Sequence, residues 1–223
     1  MALLEARSLS YTYPKSSRAV VEDWSCAFEE GQVSAITGKS GCGKSTRLFL
    51  LALLVKPTDG EIFFSGNRVD NLKDAQRSNI RARDFGFVFQ DSALDLTRSV
   101  LDNVTESSLY RGANRKEEQA KAVELLARVE VSVPLDRRPG QISGGQAQRI
   151  ALCRALVGNP KVIFADEPTG NLDVESGTVV MGMLKEAAND GASVILVTHD
   201  PKVAKLSDQR IDISSLLVGY EDE

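Results

Sequence analysis

The 223-residue chain is 42% hydrophobic and 26% charged with a net charge of −4, a balance that suits one compact domain and excludes disordered or fibrous classes. Mild acidity also argues against a general nucleic-acid binder, which presents a basic face. The longest apolar run, 48–55, falls short of the roughly 20 residues needed to cross a membrane.

The start, Met1-Ala2-Leu3-Leu4-Glu5-Ala6-Arg7, lacks the basic and apolar regions of a signal peptide, so the chain is expected in the cytoplasm. Cys26, Cys42 and Cys153 are odd in number and widely spaced, and predict neither a disulfide framework nor a zinc site. The N-terminus reads as strand-rich, with Val20, Trp24, Cys26 and Phe28 sharing a period of two. The run 33–37 is a short buried strand of parallel type that leads through glycine-rich sequence into a helix over 44–55. Pro57 and Gly60 close that unit; a strand at 61–65, a polar helix at 72–83 and a strand at 85–89 follow. From 91 to 142 the reading is an inserted helical subdomain, closed by Pro134, Pro139 and Gly140. A helix at 145–157, a strand at 162–165, a helix at 174–189 and a strand at 192–198 complete an α/β order, with no internal repeat. Such order predicts a mostly parallel sheet with its chemistry at the carboxyl ends of the strands.

Gly38-Lys39-Ser40-Gly41-Cys42-Gly43-Lys44-Ser45 is a complete G-x-x-x-x-G-K-[ST] phosphate loop between a predicted strand and helix. Its glycines let the backbone approach phosphate, Lys44 reaches the β- and γ-phosphates, and Ser45 is a ligand for Mg²⁺. Thr46 is suited to the α-phosphate. The strand ending at Asp166-Glu167 delivers two carboxylates, the first suited to Mg²⁺ and the second to polarising the attacking water. His199, the only histidine, follows another apolar strand and is expected to orient the γ-phosphate or water. Gln90 ends the 85–89 strand and is expected to orient water or the metal. Cys42, if exposed beside Lys44 and a helix N-terminus, would have thiolate character, and its alkylation would block ATPase activity.

Ile142-Ser143-Gly144-Gly145-Gln146-Ala147-Gln148-Arg149 closely resembles the ABC signature motif. With the phosphate loop, Gln90, Asp166-Glu167, Asn171-Leu172-Asp173 and His199 in the same order, essentially the whole chain resembles an ABC-transporter nucleotide-binding domain. The resemblance implies the ABC ATPase fold: a P-loop NTPase core over 1–90 and 143–223, an N-terminal antiparallel β subdomain, and the helical insertion over 91–142. It also implies that two copies, or this chain and a paralogous ATPase, pair head to tail around two Mg-ATP. Ser143, Gly145 and Gln146 would then touch the partner's ATP, and Asp173 would couple the two sites. Tyr13 resembles the adenine-stacking aromatic, with Tyr11 as its rival. Ile142 departs from the commoner leucine.

The segments Phe85-Gly86-Phe87-Val88-Phe89-Gln90, 97–104 and 165–173 are similar to the branch of lipoprotein-release and macrolide-export ATPases, and to the cell-division ATPase of that branch. That branch works with a separate integral-membrane permease bearing a large extracytoplasmic domain, so this chain is expected at the inner face of the membrane, driving export or force transmission. Asp102 stands where the branch often has glutamate. A non-transport ABC ATPase of cell division or DNA maintenance is the alternative; the chain lacks a coiled-coil insertion, zinc motif and basic tract. No Asn-Lys-x-Asp sequence supports a GTPase, and with little sequence after His199 a regulatory C-terminal domain of sugar-importer type is not expected.

Overall fold

The computed structural model describes residues 2–214. Strands β1 (Ala2–Thr12), β2 (Ala19–Glu29), β4 (Asp59–Phe64) and β5 (Asn67–Arg68) form an antiparallel sheet in the order β2-β1-β4-β5. On β2 the buried residues are Val21, Trp24 and Phe28, not the unbroken alternation from Val20 that the sequence suggests. Ser8 on β1 (φ 46) takes left-handed backbone where the pairing slips between Ala6 and Leu9, and Asp23 (φ 41) does so where it slips again between Leu9 and Tyr11. The irregularity moves the inward face by one residue.

The second sheet has the order β6-β7-β8-β3-β9 and is parallel throughout: β3 (Val33–Thr37), β6 (Phe85–Val88), β7 (Val162–Asp166), β8 (Ser193–Val197) and β9 (Gln209–Asp212). Every residue of β3, β7 and β8 is buried, because both faces are covered and alternate side chains enter different cores. Ile163, Ala165, Val194 and Leu196 join one cluster with α6 (Gly144–Leu156) and α7 (Val174–Asn189). Val162, Phe164, Ile195 and Val197 join the other, with α1 (Lys44–Leu51) and the antiparallel sheet.

Helix α1 ends at Leu51, short of the apolar run's end at 55. Leu53 adopts φ 57, and the amides of Leu54 and Val55 turn back to the carbonyl of Phe49 at 2.9 and 3.4 Å. A leucine thus makes the left-handed stop for which glycine is the usual signal. Helix α2 (Asp74–Asp84) precedes β6.

Between β6 and α6 the chain is less helical than expected. Residues 91–99 form a loop, followed by α3 (Val100–Val104), α4 (Glu106–Arg111), α5 (Arg115–Arg128) and a 3₁₀ turn, Pro139–Gln141. Fully buried Asn103 organises the loop: its Oδ1 accepts from the Asp95 amide at 2.7 Å, and its Nδ2 donates to the carbonyls of Asp95 (3.0 Å), Arg98 (3.3 Å) and Ser99 (3.0 Å). Val100, Val104, Ala122 and Leu126 share the apolar cluster of Val88 and Ile150, so these helices pack on the same core as the sheet. Helix α8 (Pro201–Lys205) joins β8 to β9. The last nine residues of the core range read from the sequence, 215–223, lie outside the described residues.

Candidate active site

Strands β3, β6, β7 and β8 end on one edge of the parallel sheet, and the loops leaving them enclose a cleft of about 540 Å³. Its floor is the phosphate loop: Ser40, Gly41, Gly43, Lys44, Ser45 and Thr46. Gly41 and Gly43 have φ of 78 and 81, a region closed to most side chains. A Cβ on Gly43 would also stand 2.8 Å from Val20 Cγ1 and 2.9 Å from the Val20 carbonyl. Gly43 precedes α1 without a side-chain cap, leaving the helix's first amides for an anion. Lys44 Nζ donates to the carbonyls of Gly38 and Lys39, both at 3.0 Å, which holds the ammonium across the loop.

The opposite wall is acidic. Ser45 Oγ donates to Asp166 Oδ1 at 3.1 Å. Burial pushes the Asp166 carboxyl above the usual carboxylate range, against the Ser45 hydrogen bond, and neighbouring Glu167 adds to the rise. A buried carboxylate whose charge is under-compensated beside a serine hydroxyl suits a divalent cation.

Glu167 has φ 47, an uncommon conformation for glutamate, and three donors converge on its carboxylate. They are His199 Nδ1 at 2.6 Å, the His199 amide at 3.1 Å, and Thr198 Oγ1 at 3.3 Å. Because a carboxylate only accepts, the His199 proton facing it sits on Nδ1. Gln90 lines the same cleft. Tyr13 is 43% exposed on its rim and its hydroxyl lies 3.0 Å from Thr46 Oγ1. Tyr11 packs edge-on against Tyr13 with centroids 4.9 Å apart and, half-buried, lies against the core cluster.

Several predicted residues stand elsewhere. Ser143 caps α6, its Oγ accepting from the Gln146 amide at 3.2 Å while Gln146 Oε1 accepts from the Ser143 amide at 2.9 Å. Gly145 lies in that first turn. Asp173 caps α7, accepting from the Ser176 amide at 2.8 Å, and lines a separate groove of about 470 Å³ with Leu172 and Val174. Neither cap faces the chain's own cleft. Cys42 requires a correction: it is only 3% exposed, and its sulfur lies under the loop, 2.7 Å from where a Cβ on Gly38 would stand. The thiol faces the core beside Ile213, so the reactivity expected from its sequence position does not hold.

The sequence reading also missed the residues that hold the Gln90 loop. Gln148 Nε2 donates to the Phe89 carbonyl at 3.0 Å, and Asn171 Nδ2 to the Gln90 carbonyl at 3.2 Å. Arg154 donates to the carbonyls of Ser92 and Ala93 at 2.8 and 2.6 Å, two residues with left-handed backbone. The available signal was that polar Gln148 sits among the buried residues of helix α6, with Arg154 further along it.

The comparisons with known proteins agree with this geometry. A model of the ABC transporter family matches residues 21–170. The chain belongs to the ABC transporter family. An uncharacterised ABC transporter ATP-binding protein of Methanocaldococcus jannaschii is 38% identical over 213 residues, 95% of each chain. The macrolide export ATP-binding/permease protein MacB of Salmonella typhi is 42% identical, over 95% of this chain but 33% of its own length. The lipoprotein-releasing system ATP-binding protein LolD 2 of Rhodopirellula baltica is 37% identical over 93% of this chain and 85% of its own. A dimeric ATP-binding cassette solved with ADP and phosphate superposes with a TM-score of 0.88 at 34% identity, covering 99% of this chain and 98% of that one. Within the ABC family this chain is an ATP-binding, ATP-hydrolysing subunit whose listed relatives include MacB and LolD. Among the described residues no helix is long and apolar enough to cross a membrane.

Proposed function

We propose that two copies of this chain, or this chain and a paralogous ATPase, close head to tail on two Mg-ATP and drive a separate integral-membrane permease with a large extracytoplasmic domain. The observation that carries the reading is the Glu167 carboxylate, fixed by Thr198 and His199 across one cleft from the phosphate loop. Gly38 through Thr46 receive the phosphates, Lys44 the β- and γ-oxygens, and Tyr13 stacks on adenine. Ser45, Asp166 and Gln90 hold Mg²⁺, which when bound neutralises charge building on the phosphate oxygens. Glu167 accepts a proton from water as its oxygen bonds to the γ-phosphorus and the bond to the ADP oxygen breaks. His199 keeps Glu167 oriented and Gln90 positions the water.

The α6 cap at Ser143, Gly145 and Gln146 is a second anion-binding surface, turned outward and suited to the γ-phosphate or ribose of the partner's ATP. Asp173 couples the two sites. In this reading the described residues before 91 and from 143 onward form the core, and 91–142 moves against it as a subdomain that receives the permease's cytoplasmic helices near Gln90. Exposed Leu96, Leu109 and Tyr110 support that role. The chain then works at the inner face of the membrane, in export or force transmission.

The test is size-exclusion chromatography with light scattering on Glu167→Gln, with and without Mg-ATP, beside steady-state ATPase assays. The expected outcome is a dimer that forms only with ATP and an ATPase rate lower by about 10²-fold or more. A variant that binds ATP tightly as a monomer would overturn self-pairing and point to a paralogous partner.

A further inference from the structure

Helix α1 carries an arginine at the point where its sequence turns from polar to apolar. Arg47 stands between Thr46 and Leu48, in a turn otherwise given to phosphate contact and core packing. Its side chain is only 2% exposed. Nη1 donates to the Cys42 carbonyl at 2.9 Å and to the Gly43 carbonyl at 3.3 Å. The guanidinium carbon lies 5.5 Å from the centroid of the Trp24 ring, on β2 of the antiparallel sheet. Nε is buried without a hydrogen-bond partner among the described residues, and no carboxylate there forms an ion pair with this side chain. Burial pushes its pKa down, yet a guanidinium stays protonated in proteins. A buried cation without an anion is costly, so the position calls for a compensating negative charge.

The two carbonyls it holds indicate where that charge binds. In a trans peptide the C=O and N–H point in opposite directions, and the described residues contain no cis bond. Drawing the Cys42 and Gly43 carbonyls toward Arg47 therefore turns the amides of Gly43 and Lys44 away from it. Both residues line the phosphate cleft. Arg47 thus grips the loop from beneath while the same peptide units present N–H groups above. Gly43 is pinned between the two sides, since a Cβ there would meet Val20 at 2.8 Å and Arg47 Nη1 at 3.0 Å.

We propose that Arg47 is a positioning residue of the phosphate loop, which holds the peptides of residues 42–44 with their amides toward the nucleotide phosphates and so sets the loop's affinity for polyphosphate. The proposal rests on the nucleotide-site reading above. The hydrogen bonds that Arg47 donates to the carbonyl oxygens polarise the same peptide units, and the guanidinium adds long-range attraction through a poorly screened interior. Contact with Trp24 also makes the antiparallel sheet a support for the loop.

The experiment compares dissociation constants for Mg-ATP, ADP and AMP in the full chain with those of Arg47→Met, Arg47→Lys and Lys44→Ala, beside thermal midpoints. Arg47→Met is expected to weaken Mg-ATP and ADP binding about tenfold and AMP binding less than threefold, with no fall in midpoint. Arg47→Lys is expected to recover at least half of the loss. Mg-ATP affinity within twofold of the parent in Arg47→Met would overturn the proposal, as would an equal loss for AMP and ATP. If Arg47→Met does not fold, Arg47→Gln is judged by the same ratios. Unchanged binding in Lys44→Ala would instead overturn the nucleotide-site reading, and this proposal with it.

Discussion

Cys42 illustrates how far a single residue can be read from its neighbours. Its place in the phosphate loop suggests an activated thiol, but whether a thiol reacts depends on what covers it. Here Ile213, far away in sequence, stands beside the place where its sulfur enters the core. Cys153 is sealed in α6, where burial pushes its thiol up to about 12, and Cys26 is half-buried with a thiol also raised by burial. Mass-spectrometric counting of iodoacetamide adducts on the folded chain is therefore expected to find Cys26 modified first. Cys42 and Cys153 should react only after denaturation, and ATPase activity should survive the first adduct. Rapid Cys42 labelling in the folded chain would contradict the buried placement. The residues of the phosphate loop, Asp166, Glu167 and His199 were legible because each follows a short apolar strand, a local signal. The donors to Glu167 from Thr198 and His199 were not, since they depend on β7 and β8 lying side by side.

At the scale of elements, the strand and helix types followed from periodicity, and the errors fall where the backbone leaves its usual menu. The Leu53 stop and the Asp23 irregularity use left-handed conformations at residues that do not advertise them. Gly86 is the converse: it reads as an ordinary strand glycine, with φ outside the left-handed region. A Cβ there would meet the Ala155 carbonyl at 2.5 Å and Pro160 Cγ at 3.1 Å, so β6 can approach α6 only without a side chain. Gly86→Val is expected to destabilise the chain by roughly 3 kcal/mol, of the order found for overpacked cores, read as a lower urea midpoint with an unchanged slope. A midpoint equal to the parent's would mean that α6 yields at no cost. Because α6 also carries Gln148 and Arg154, the same change should lower ATPase activity by loosening the Gln90 loop.

For the whole molecule, the outward direction of the Ser143 cap predicts a complementation result. Lys44→Ala removes a copy's phosphate loop function but leaves its α6 surface, whereas Ser143→Arg blocks that surface and leaves the loop. Each variant alone is expected to show ATPase activity lower by about 10²-fold. A mixture should regain a substantial fraction, since one composite site per mixed dimer is intact. Activity no greater than the average of the two would show that each chain hydrolyses ATP with its own residues alone.

The sequence alone determined the α/β order, the phosphate loop, the paired carboxylates and the family resemblance. These lie in contiguous stretches whose spacing reflects strand and helix geometry. Only the tertiary structure decided that Cys42 is buried, that Arg47 lies beneath the loop, that Tyr13 and not Tyr11 reaches the rim, and that Gln148, Arg154 and Asn171 hold the Gln90 segment. Each of those outcomes is a matter of burial or of partners brought together by sheet order, and a free energy of burial belongs to the packed surface, not to any one stretch of chain.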